Sequence, residues 1–303
     1  MKKNRLGFSA PALRLAAFLA FAACAVETAG ALELRVEGGT GNIAFDPGRD
    51  SPLGSERFSP RPHPLALIRL SGEINNMIQY RAAWERDQVL RNRVTGGVEL
   101  DFSFIRIEAG AVLGPFNTGE KPLNPGASGG LTLEWPGILF GTIRGSSTLG
   151  SSLSVPGDYI QETGEIALGF WVPNVVCTFS LSSAAFSSRF NETLIVKDER
   201  TRWQFSADVH AKNVPYTIIV NMGYQSLERS CVPAAPGPVE SDELRLVYLG
   251  IEGTWRVIPG VQILAGAEMP VYSWGKTPMP APNLNTTLFT ARAGVILTLP
   301  GIH

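Results

Sequence analysis

Ser206, Asp208 and His210 stand at alternate positions of one run, so an extended chain presents all three on one face. A serine, an acid and a histidine on one face are the parts of a nucleophilic hydrolase, in which the histidine takes the serine proton and the acid orients the ring. The spacing works against that chemistry. Same-face neighbours on a strand lie about 7 Å apart. Asp208 is placed to orient His210, but Ser206 is four positions away and beyond direct proton transfer. The other histidines, His63 and His303, fall in a proline-rich stretch and at the end of the chain. The sequence therefore predicts polar lining at 206–210, assigns no catalytic residue and gives no enzyme.

A larger set of charged residues shares one face of successive strand-like runs. The bases are Arg81, Arg93, Arg106, Arg144, Arg202 and Arg292; the acids are Glu99, Glu108, Glu134, Glu165, Asp208, Glu252 and Glu268. Inside a narrow enclosure such groups must be paired or hydrated, because an isolated buried charge is very costly. They form either a structural Arg–Glu network or the wall of a wet path that sets selectivity. Arg81, Arg93, Glu99, Arg106, Glu108, Glu134, Arg202 and Glu252 are the predicted path-lining residues. With both signs present, strong anion or cation selectivity is not expected.

Other chemistries find little support. The net charge of −1 gives no electrostatic case for nucleic acid. The three cysteines, Cys24, Cys177 and Cys231, are too few for a disulfide framework and lack the spacing of a metal site, so neither metal nor cofactor is predicted. Gly126–Gly130 is no phosphate loop, since no helix follows and no Lys-Ser/Thr pair closes it.

The elements that carry these residues are long alternating runs. Over 65–86, Ala66, Ile68, Leu70, Ile74, Ile78, Tyr80, Ala82 and Trp84 share one face, and Glu73, Asn75, Gln79, Arg81 and Glu85 the other. Further strands are predicted at 90–102, 104–113, 128–135, 138–149, 158–172, 175–188, 199–212, 216–228, 242–257, 261–275 and 286–299. Short proline-rich turns recur at 135–137, 172–174, 213–215 and 258–260, and longer polar stretches alternate with them at 114–127, 150–158, 189–198, 229–241 and 276–284. Charged residues are only 17% of the 303, yet beyond the N-terminus no apolar run is long enough for a membrane helix. The expected fold is an all-β transmembrane antiparallel barrel of about twelve strands, with fourteen as the alternative. Trp135, Trp171, Tyr216 and Trp255 cluster beside the short turns, as an aromatic girdle would.

The N-terminal region divides in two. Residues 1–31 have a basic start, an apolar core and a small-residue cleavage site, which predicts an export signal. Cys24 follows a relaxed lipoprotein-like box, leaving lipidation open. Leu32 to Phe45 alternates like a strand, but Pro47, Pro52, Pro60 and Pro62 follow, and one more strand would make the count of twelve odd. Residues 32–63 are therefore expected as an extension or a lumen plug, with Glu33, Arg35 or Glu37 meeting Arg93 or Arg106, and 64–303 as the barrel.

The signal, the long amphipathic strands, the turn asymmetry and the alternating final strand Phe289–Leu299 resemble bacterial outer-membrane β-barrels as a class. The likeness is porin-like, similar in style to spirochaetal barrels, and points to no specific family. It departs from the class at Pro300-Gly301-Ile302-His303, where a closing aromatic residue is usual. It implies residence in the cell outer membrane, contact with its lipid, and passive passage of small solutes. The rivals are a closed structural or adhesin-like surface barrel and, third, an envelope lipid hydrolase. The solute, the oligomeric state and the loop partners are not legible.

Overall fold

The computed structural model describes residues 32–43, 45, 62–115, 117, 123–149, 153–210, 214–233, 237–275 and 288–299. Residues 1–31, expected as an export signal, and the C-terminal Pro300–His303 lie outside them. Among the described residues fourteen strands run in chain order: β1 (Leu32–Gly41), β2 (His63–Asn75), β3 (Ile78–Asp87), β4 (Arg91–Asp101), β5 (Ile105–Leu113), β6 (Pro125–Trp135) and β7 (Leu139–Thr148). They continue as β8 (Tyr159–Val172), β9 (Val175–Asn191), β10 (Leu194–His210), β11 (Tyr216–Pro233), β12 (Glu240–Ile258), β13 (Val261–Gly275) and β14 (Thr290–Leu299). Each pairs antiparallel with its chain neighbours, and β1 pairs with β14, closing the barrel. Closure removes every unpaired strand edge, which a chain bounded by lipid requires.

The two ends of the barrel are built differently. Three turns repeat one chemistry: Pro136-Gly137, Pro173-Asn174 and Pro259-Gly260. Proline presets φ at the first corner, and the second corner has positive φ: 73° at Gly137, 65° at Asn174 and 78° at Gly260. Ile138 N–H donates to the Trp135 carbonyl at 3.0 Å, closing the first of these turns. The register places them at one end, together with the start of β1 and the end of β14. The longer connections leave from the other end.

Fourteen is the alternative count read from the sequence, and the two strands beyond twelve arise in two places. Leu32–Gly41 is a wall strand, bonded over its whole length to β14 on one side and β2 on the other. The barrel thus begins at Leu32 rather than at residue 64. The single run 65–86 is two strands reversing at Asn76-Met77, where Asn75 Oδ1 accepts from the N–H groups of Met77 and Ile78, both at 2.9 Å. A further difference lies at 189–198, expected as a long loop. There β9 and β10 continue to a tight turn at Glu192-Thr193.

Candidate functional site in the barrel lumen

Register sorts every strand residue to the inside or the outside. The eight predicted lining residues, Arg81, Arg93, Glu99, Arg106, Glu108, Glu134, Arg202 and Glu252, all fall on the inner face. The outer face of the lower wall is apolar, with Leu131, Leu133, Ile166, Leu168, Phe170, Val220, Met222, Leu249 and Ile251 all exposed. Trp135, Tyr216 and Trp255 are exposed outward at the short-turn end. Trp171 departs from that expectation. The register turns it inward, where its ring lies 5.0 Å from that of Phe140.

On one wall the charges form a ladder across β3 to β7. Glu99 and Glu108 are direct cross-strand partners, a like-charge pair that is unfavourable alone. Arg81 relieves it, lying 3.5 Å from Glu99 and 3.7 Å from Glu108. Arg106 joins Glu99 at 3.8 Å to Glu134 at 2.5 Å, and Arg144 approaches Glu108 at 3.4 Å. Three guanidinium groups thus balance three carboxylates.

The facing wall repeats the balance. Glu252, only 5% exposed, accepts from Arg35 at 3.4 Å and from Arg292. Glu37 bonds Arg35 and lies 3.8 Å from Arg292. Arg35 and Glu37 therefore act as wall residues and meet Glu252 and Arg292, rather than Arg93 or Arg106. Arg202 donates to Glu268 at 2.6 Å, and its guanidinium sits 4.1 Å from the centre of the Tyr248 ring. Glu37, Arg202, Tyr248, Glu252, Glu268 and Arg292 border a cavity of ≈ 270 Å³ whose lining also includes Asn221, Gln225 and Arg200.

Toward the long-loop end the interior changes character. Ile43, Phe45, Val89, Leu227, Leu244, Leu246, Tyr248 and Leu288 pack as an apolar cluster inside the barrel. Of the described residues between β1 and β2, Ile43 and Phe45 join this cluster. The outer face inverts at the same level. On β11, outward Tyr216, Ile218, Val220, Met222 and Tyr224 give way to Ser226, Glu228 and Ser230; on β12, Val247 gives way to Arg245 and Glu243. Trp203, Tyr224, Tyr272 and Trp274 mark the boundary. Trp203 and Tyr224 are register partners, and the Trp274 ring lies 5.8 Å from Tyr224 and 5.4 Å from Tyr272. Sequence reasoning missed this second aromatic level. The change of outward residues from apolar to charged on three neighbouring strands was the available signal.

The Ser206–Asp208–His210 face also points inward. His210 Nδ1 is 3.8 Å from Asp208 Oδ1, and the face lies at the short-turn end, away from the lipid side. Cys177 faces outward near the short turns and Cys231 inward near the long loops, so the two thiols do not meet.

No family model matches this sequence, and no curated protein matches it. Among solved structures, a loop-deletion mutant of OmpT, an outer membrane protein of Vibrio cholerae, aligns with TM-score 0.43 and 10% identity over 90% of this chain and 99% of that one. A porin aligns with TM-score 0.41 and 8% identity over 89% and 99%. A bacterial polysaccharide outer membrane secretin aligns with TM-score 0.42 and 14% identity over 89% and 98%. Likeness this loose carries no argument of its own. The closed wall, its outward apolar band and the aromatic levels bounding it make this chain an outer-membrane β-barrel.

Proposed function

We propose that this barrel is a channel for passive passage of small polar solutes, with weak charge preference. The observation that carries the reading is the balanced set of inward Arg and Glu residues on facing walls of the barrel, the second of which borders the cavity. Charges of this density need water as well as one another, and a purely structural interior is made more stably from apolar side chains. Near-equal numbers of the two signs leave little net field to reject either ion type. Trp135, Tyr216 and Trp255 serve as the headgroup-level anchors at the short-turn end.

A second reading, a closed barrel that presents its loops to a surface partner, draws on the apolar packing at the long-loop end. One experiment separates them. The refolded protein is placed in planar bilayers and in liposomes with small neutral sugars outside. A channel gives discrete conductance steps, a reversal potential near zero in a potassium chloride gradient, and swelling. Folded protein that yields neither steps nor swelling overturns the channel reading.

A further inference from the structure

We propose that the turn joining β3 and β4, Asp87–Leu90, is the size-limiting constriction of the lumen, held across the bore by the Asp87–Arg200 ion pair. The proposal rests on the channel reading above. Its geometry comes from strand order. β3 and β10 are seven strands apart in either direction around a fourteen-stranded wall, so they are diametrically opposed. Yet Arg200 Nη1 lies 2.9 Å from Asp87 Oδ2. A contact between opposite walls has to pass through the lumen.

The same carboxylate shapes the turn. Asp87 Oδ1 accepts from Val89 N–H at 2.8 Å and Leu90 N–H at 3.0 Å, leaving Oδ2 for Arg200. Two apolar side chains direct the turn inward. Val89 and Leu90 are 4% and 2% exposed, and Val89 joins the apolar cluster of β11 and β12. The other short connection at this end behaves oppositely, with Glu192 and Thr193 both exposed. A second anchor comes from β8, where Gln161 Nε2 donates to the carbonyls of Leu90 and Asn92. The chain leaves the turn at Arg91 with φ of 61°, a region disfavoured for arginine. The Arg91 guanidinium lies 4.0 Å from the centre of the Phe186 ring on β9. Contacts to β8, β9 and β10, and through Val89 to β11 and β12, thus hold a strained turn over the bore.

The test uses Asp87→Asn and Arg200→Gln. In Asp87→Asn the amide oxygen can still accept from both turn N–H groups, so that variant removes the ion pair and keeps the turn. Outward-facing Thr201→Ala is the control. Each barrel is checked for folding by heat-modifiable gel mobility. Single-channel conductance and the exclusion limit for neutral polyethylene glycols of graded size are then measured. Both latch variants should admit larger polymers than wild type and conduct more, with the double variant no more permissive than the better single one. Thr201→Ala should match wild type. A conducting wild type whose exclusion limit is unchanged in both latch variants overturns the constriction alone. Folded barrels that are silent and impermeable in every form overturn the channel reading and the constriction with it.

Discussion

Val36 on the first strand sits opposite Val295 on the last and, on its other side, opposite Ile68 of β2. Through this row the N-terminal segment closes the wall. Removing residues 32–41 leaves β2 and β14 with unpaired backbone groups facing lipid, where each costs several kcal/mol. The truncated chain should fail to give the compact, heat-modifiable species on a gel after refolding into detergent or lipid. A truncated chain that still folds, with larger conductance, would restore the plug role that the wall register removes.

Sequence resolved the inside and the outside of this wall better than it resolved the number of strands. Alternation assigns Arg81, Glu99, Arg202 and Glu252 to one face because the side-chain period is two, whatever the strand count. It cannot see the reversal at Asn76-Met77. There the partners Gly72–Tyr80 and Leu70–Ala82 have the same parity, so the apolar face continues through the turn unbroken. The clue was length: about twenty residues extend roughly 66 Å, far beyond one bilayer crossing. The outer parts of β9 to β12 were hidden for another reason. Once past the lipid, the wall reverses its polarity, with Glu228 and Arg245 outward and Leu227 and Leu244 inward. The outward run then reads as a polar loop. Cross-lumen pairs such as Asp87–Arg200 join residues 113 positions apart, and no local pattern records them.

Orientation comes from the two kinds of connection. Single cysteines at Ile138, beside a short turn, and at Leu149 and Val239, at the long-loop end, are all exposed positions. With Cys177 and Cys231 replaced by serine, an impermeant maleimide applied to intact cells should label Leu149→Cys and Val239→Cys. It should reach Ile138→Cys only after the outer membrane is broken. Labelling of Ile138→Cys on intact cells would invert the topology.

Depth along the outer face gives the most discriminating prediction. Tyr216 and Tyr224 bound the apolar stretch of β11, eight steps or about 27 Å along the strand. At the usual tilt of about 40° this becomes about 21 Å of height, close to the roughly 25 Å apolar band of such barrels. Val220 lies halfway and Val209 near the short-turn boundary, while Thr201 is past Trp203 at the long-loop boundary. Arginine at Val220 should cost about 2–4 kcal/mol, and at Val209 or Thr201 about 0–1 kcal/mol, read from denaturant unfolding of barrels folded into lipid vesicles. Inward Ser206→Ala should change stability little, because that face is already polar. The ordering matters more than any one value. A soluble β-barrel would show no penalty that peaks at Val220. Equal costs at Val220, Val209 and Thr201 would therefore remove the lipid band from this surface.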